Sequence, residues 1–171
     1  MSDIRKITME KNLANSSVVS RWHWPSLKID LLIAKAVIDI FTENRQTKNN
    51  KERGGQLFID LSFPKGLLVA VATPPHPKDY ATTHSLFLDS ARCCEEIKFF
   101  NDKGLRLVGY WHTHPELDPL LSSQDLRSFQ KFSNENSNKL PYPLAVIVGL
   151  SRLRVWSMRQ LPLSGDIRSV V

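Results

Sequence analysis

The apolar residues of this chain come in short runs, and this limits its folds more than any other feature. Runs such as Leu31-Leu32-Ile33-Ala34 and Gly66-Leu67-Leu68-Val69-Ala70-Val71-Ala72 are far below the roughly 18 apolar residues a membrane helix needs. Runs of this length, bounded by glycine, proline and polar residues, suit the buried strands of a layered domain. The 171 residues leave room for one hydrophobic core and little more. With 42% hydrophobic and 23% charged residues, the composition is that of a globular protein rather than a disordered or fibrous one.

Read in order, residues 1–25 show no sustained period and are expected to be an N-terminal extension. From Asp30 to about Arg45, Ile33, Ala34, Val37, Ile38 and Phe41 recur at helical spacing, which predicts an amphipathic helix. Thr47 to Lys51 is a polar loop, and a strand from Gly55 to Leu61 follows, with Glu52 at its edge. The Pro64 and Gly66 turn joins it to a second strand, Leu67 to Ala72, as a hairpin. Pro74, Pro75 and Pro77 open a long connection, after which Ser85 to Leu88 is expected to be a strand.

Asp89 or Ser90 can cap a helix whose apolar face carries Cys94, Ile97 and Phe100, with Gly104 closing it. A strand from Leu105 to His112 runs into a polar loop, and a further helix starts at Ser122 and continues to about Phe132. Two more strands, Leu144 to Val148 and Leu153 to Ser157, complete a mixed α/β fold with a central sheet flanked by helices. The domain is expected over residues 26–160, with 161–171 as a tail.

Charge and cysteine content exclude several classes of function. Lysine and arginine exceed aspartate and glutamate by 23 to 17, an excess partly gathered at the C-terminal end in Lys139, Arg152, Arg154, Arg159 and Arg168. No dense basic run or interleaving of basic and aromatic residues appears, so a solvated surface is expected rather than a nucleic-acid site. The first residues lack the pattern of a secretory signal, and the two cysteines, Cys93 and Cys94, adjoin in sequence and are expected to be free thiols. The expectation is a cytoplasmic protein with no nucleic-acid or membrane partner.

The sharpest chemistry lies at the end of the strand that reaches His112. Residues two apart on a strand share a face, so His112 and His114 can present two imidazoles to one ion. Such a pair alone is weak evidence. Ser122 and Asp125 follow at fixed offsets, and the accidental occurrence of all four residue types in a chain of this composition is about one in a thousand, which favours a built site. Serine and aspartate three apart in the first turn of a helix share one face, so Asp125 can reach the ion and Ser122 can sit beside its ligand. Two histidines and a carboxylate leave a fourth tetrahedral position open, as in catalytic zinc sites.

His112-Thr113-His114-Pro115, then Ser122 and Asp125, is similar to the motif of the JAMM (MPN-plus, prokaryotic JAB) metalloprotease family. Glu52-Arg53-Gly54-Gly55-Gln56-Leu57 resembles that family's upstream glutamate motif in the order it requires, and the likeness extends over about Ile29 to Trp156. The resemblance implies the JAMM/MPN fold, an α/β layering like that of cytidine deaminases. It also implies one catalytic Zn2+ held by His112, His114 and Asp125, with Glu52 as general base and then acid, and Ser122 as donor to the oxyanion. Tyr110-Trp111-His112-Thr113-His114-Pro115-Glu116 looks most like the bacterial branch labelled as integrative and conjugative element proteins. That branch includes the JAMM isopeptidase of type II CBASS antiphage operons.

The resemblance implies a deubiquitinase-like isopeptidase that separates the C-terminal tail of a CD-NTase from an amine of its target, with the tail extended along a sheet edge. Two alternatives stand beside it: a peptidase processing a bacterial ubiquitin-like or sulfur-carrier protein, and a non-catalytic MPN binding scaffold. Glu116 and Asp118 match no motif position and are expected to meet solvent or substrate. His23, His76 and His84 are expected on the surface, and Trp111 is expected to buttress the core. The Cys93-Cys94 pair does not make a deaminase, because Pro-Cys-x-x-Cys and His-x-Glu are missing.

Overall fold

The computed structural model describes residues 18–24, 29–64, 66–140, 142–159 and 161–163. The order of elements is β1 (Val18–Trp24), β2 (Ile29–Ala34), α1 (Lys35–Glu43), β3 (Gly54–Asp60), β4 (Leu67–Ala72), β5 (Tyr80–Ala81) and β6 (Leu86–Phe87). There follow α2 (Ser90–Asn101), β7 (Leu105–Thr113), α3 (Ser123–Glu135), β8 (Leu144–Val148), β9 (Leu153–Arg159) and β10 (Leu161–Leu163). Eight strands form one sheet in the order β1-β2-β4-β3-β7-β8-β9-β10, and β5 pairs with β6 apart from it. The sheet is mixed: β2 with β4 and β7 with β8 run parallel, and the other neighbours antiparallel. The mixed α/β class expected from the sequence is the class observed. β1 and β10 lie in the segments that the sequence set apart as extension and tail.

The helix expected from Asp30 begins five residues later. Leu31, Leu32, Ile33 and Ala34 are all buried because β2 is enclosed between β1 and β4. An unbroken apolar run suits a strand covered on both faces as well as it suits a helix, and periodicity alone does not separate the two. Only from Lys35 does the pattern become one-sided, with Ala36, Val37, Ile40 and Phe41 buried along α1.

Helices cover both faces of the sheet. On one face α1 packs Val37, Ile40 and Phe41 onto Leu57, Ile59 and Trp111, with the Phe41 and Trp111 rings 5.2 Å apart. On the other, Phe100 of α2 packs with Phe58, Val71 and Leu105. Strand alternation assigns Leu57 and Ile59 to the first face and Phe58 to the second. An extra residue in β7 then matters, because Leu57 faces Gly109 while its neighbour Phe58 faces Leu107, leaving Val108 as a bulge. The bulge reverses the alternation, so Trp111 joins Val108 in the α1 core. Tyr110 turns to the opposite face, where its ring meets Phe132 of α3 edge-on at 4.9 Å.

The buried face of α2 also differs from the expected one. Arg92, Cys93, Glu96 and Phe100 are buried, whereas Cys94 is exposed. The Arg92 guanidinium donates to Glu96 at 2.7 Å and to both oxygens of Asp79 at 3.0 and 3.1 Å. Charges so matched can occupy a helix face that a purely apolar reading would leave to solvent, since burial is tolerated when ions pair and hydrogen-bond. The cap is as expected, Asp89 accepting from the Arg92 amide at 2.8 Å. Among the described residues, no helix is long and apolar enough to cross a membrane.

Both cysteines are free thiols, one buried and one exposed. Burial pushes the Cys93 thiol up to about 11, which suppresses its thiolate at neutral pH. Titration of the native protein with a chromogenic disulfide reagent at pH 8 is therefore expected to modify one thiol, Cys94, promptly. The second equivalent should appear only on adding denaturant; rapid loss of both would contradict this packing.

Candidate metal centre

β7 delivers the histidines in a fixed frame. Its parallel pairing with β8 puts His112 opposite Ile147 and Thr113 opposite Val148, and the His114 amide extends the ladder by donating to the Val148 carbonyl at 3.0 Å. Thr113 is fully buried, and its hydroxyl accepts from the Arg53 amide at 3.0 Å and donates to Gln46 at 3.2 Å. Gln46, also fully buried, donates to the carbonyls of Asn50 and Thr83 at 2.8 and 3.0 Å. The residue between the two histidines is thus tied to the loop that carries Glu52. Nothing in the sequence separates Gln46 from the polar loop residues beside it, so its role as an anchor was not foreseen.

Glu52 sits two residues before β3, at the strand edge expected, and is buried, 8% exposed, with its amide donating to the Thr82 carbonyl at 2.8 Å. Burial raises its pKa, partly offset by His112 and His114. The two glycines after it are explained by crowding. A Cβ on Gly54 would lie 2.4 Å from the Trp111 carbonyl oxygen, and one on Gly55 2.1 Å from that of Thr73.

Asp125 arrives from α3. Ser122 caps the helix by accepting from the Asp125 amide at 3.1 Å, and the Asp125 carboxylate accepts from the Ser122 amide at 2.8 Å, a reciprocal capping box. This bond uses the Ser122 hydroxyl oxygen as acceptor and leaves its proton available to donate. The loop from Pro115 to Leu121 is strapped to the β8–β9 turn. Leu150 donates to the Glu116 carbonyl at 2.7 Å and Arg152 to that of Leu117 at 3.1 Å. Arg154 donates to both oxygens of Asp118 at 2.7 Å.

Asp118, expected to meet solvent or substrate, is therefore a brace, and the hydrogen bonds from Arg154 lower its pKa. Glu116 lies 3.8 Å from His114 Nδ1, too far for a hydrogen bond. Of the remaining histidines, His84 is exposed, His76 Nδ1 accepts from the Lys78 amide, and the side chain of His23 lies outside the described residues.

These elements bring His112, His114 and Asp125 together, with one ligand atom from each within 4.8 Å of the others. The two Nε2 atoms are 3.2 Å apart. Asp125 Oδ1 lies 3.2 Å from the His112 nitrogen and Oδ2 3.4 Å from that of His114. A tetrahedral ion with donors at about 2.0–2.1 Å sets them about 3.3 Å apart, so the donor types and spacing fit a zinc ion. Although burial opposes it, hydrogen bonds from both histidines hold the Asp125 carboxyl well below the usual carboxylate range. Burial would lower the His114 pKa, but the hydrogen bond and charge of Asp125 raise it. Glu52 lines the same cavity as His112 and Asp125.

Comparison with known proteins agrees with this architecture. A family profile described as prokaryotic homologs of the JAB domain matches residues 34–159. CD-NTase/cGAS isopeptidase of Pseudomonas aeruginosa is 28% identical over 141 residues, covering 80% of this chain and 88% of that protein. The solution structure of protein DSY2949 from Desulfitobacterium hafniense is similar in fold, with a TM-score of 0.53, 18% identity, and coverage of 75% of this chain and 84% of that one.

The crowding at Gly55 gives a direct test of how this site is held. Gly55→Ala is expected to lower unfolding free energy by about 2–4 kcal/mol, read from the urea midpoint at unchanged slope. A loss below about 0.5 kcal/mol would contradict the close approach to Thr73.

Proposed function

From the membership of this chain in the prokaryotic JAB-domain family, we propose that it is a zinc-dependent isopeptidase acting through His112, His114, Asp125, Glu52 and Ser122. The observation that carries this reading is the spacing of the three ligand groups, 3.2 to 3.4 Å from one another, beside a buried glutamate. His112, His114 and Asp125 would hold one Zn2+. When bound in such a site, zinc supplies Lewis acidity that acidifies water and polarises a carbonyl. A purely scaffolding role would not need this convergence.

Glu52 removes a proton from the attacking water as its oxygen bonds to the scissile carbonyl carbon. The same carboxyl returns that proton to the departing amine nitrogen as the C–N bond breaks, so base and acid are one group. Its burial suits this exchange, because a raised pKa brings a carboxyl nearer to a proton donor at neutral pH. The Ser122 hydroxyl donates to the developing oxyanion. Loss of one such donor typically costs on the order of a hundredfold or more in rate. The substrate tail lies extended in the cleft, as a flexible C-terminus is bound by main-chain hydrogen bonds.

The similarity to a protein named CD-NTase/cGAS isopeptidase supports a CD-NTase C-terminus as the conjugated tail and a protein amine as its target. On this reading residues 26–160 form the catalytic unit, and the protein acts in the cytoplasm as part of a CBASS antiphage system.

The roles separate experimentally. With the zinc-loaded chain and a CD-NTase C-terminus fused to a reporter, Glu52→Ala is expected to retain zinc and lose cleavage by a factor of at least about a hundred. His114→Ala is expected to lose both. Chelator competition and mass spectrometry provide the two readouts, and full cleavage by either variant at matched folding would overturn the assignment.

A further inference from the structure

Next to the candidate centre lies a cavity of about 240 Å3, smaller than the roughly 300–1,000 Å3 of clefts that enclose whole small molecules. It shares Glu52, His112 and Asp125 with the centre and continues between three elements. The β7–β8 pair contributes Tyr110, Leu144 and Ala145, α3 contributes Phe129 and Phe132, and the segment around β6 contributes Leu86 and Leu88. Among the described residues its carboxylates are Glu52 and Asp125, no lysine or arginine lines it, and His84, Ser85, Gln124 and Ser128 give it a polar side. The walls are well supported: Leu144, Ala145 and Phe129 are buried, and the Tyr110 and Phe132 rings brace each other.

We infer that this cavity is a specificity pocket for one large apolar side chain, leucine-like or phenylalanine-like, of the peptide tail next to the cleaved bond. The inference rests on the isopeptidase reading and names its substrate class: a tail with a bulky apolar residue close to the scissile carbonyl. An extended chain crossing the centre sends alternate side chains to opposite sides, so one of the residues nearest the bond is presented to the apolar walls. A tail of small residues would leave those walls to water, and an acidic side chain would be brought beside the carboxylates of Glu52 and Asp125. Leu86 lines the cavity, while the next residue, Phe87, points to solvent beside Tyr80, their rings 6.1 Å apart. The two-stranded β5–β6 unit thus offers one side chain to the cavity and another to whatever lies above it.

The probes are pentapeptides joined through their C-terminal carboxyl to the ε-amine of a fluorescent lysine, with Gly, Ala, Leu, Phe or Asp placed in turn at each of the last four positions. For the zinc-loaded full chain, kcat/KM is expected to favour Leu or Phe over Gly at one position by on the order of a hundredfold, with Asp worst. Ser128 is exposed on α3 and lines the cavity, so Ser128→Trp can obstruct it without disturbing the core and should collapse that ratio toward one. Phe132→Ala, which enlarges it, should shift the optimum from Leu toward Phe. Cleavage indifferent to side-chain size at every position would overturn the pocket and leave the isopeptidase reading intact. If nothing is cleaved, fluorescence anisotropy of the same probes decides. Binding with the Leu or Phe preference, lost in Ser128→Trp, would support the pocket and remove the isopeptidase, and absence of binding would overturn both.

Discussion

The Asp125 carboxylate stands between two imidazole nitrogens, and holding it there is the constraint the rest of the chain serves. Three polar groups with lone pairs directed at one another are unfavourable unless a cation or protons lie among them. Keeping them at 3.2 to 3.4 Å therefore takes rigid support from two directions. One is the β7–β8 ladder, carried past the end of β7 by the His114 amide. The other is the first turn of α3, whose capping box makes Asp125 a structural acceptor for the Ser122 amide as well as a member of the cluster. One carboxylate thus fixes the start of a helix and completes the donor set.

The two supports are joined behind the site. Gln46 and Thr113 tie the loop of Glu52 to the histidine strand through buried hydrogen bonds, and Gly54 and Gly55 let the backbones of β3, β7 and the Thr73 segment approach closely. On the far side, the β8–β9 turn grips the loop between the histidines and α3, with Arg154 clamping Asp118. Arg45, at the end of α1, donates to the Gly149 and Leu150 carbonyls of that same turn. The core under α1 and the site on the other face are linked through this turn, so a packing change far from Asp125 can reach it.

The site was more legible in the sequence than the fold around it. Donor chemistry restricts residue types so strongly that His112, His114, Ser122 and Asp125 stood out by spacing, and the capping position of Ser122 followed from its place before a periodic segment. The strands of the central hairpin and β8 and β9 were also readable, because their apolar runs are short and bounded. What escaped was context. Leu31 to Ala34 reads equally as helix or enclosed strand, and only pairing with β1 and β4 decides it. The buried face of α2 is set by Asp79, thirteen residues upstream of Arg92, and by Glu96 one turn along; no local apolar pattern carries such information. The bulge at Val108, which turns Tyr110 away from Trp111, had one mark in the sequence, the strand-interior Gly109 beside it, but a glycine there signals a close backbone approach as readily as a bulge.

A single ion held by His112, His114 and Asp125 is what separates a metal hydrolase from a scaffold of the same fold. A crystal of the full chain grown with zinc and measured at the zinc absorption edge tests it most directly. One strong anomalous peak is expected about 2.0–2.1 Å from His112 Nε2, His114 Nε2 and an Asp125 oxygen, with Glu52 close to its open side. A fully occupied peak elsewhere, with those three side chains turned apart, would contradict it.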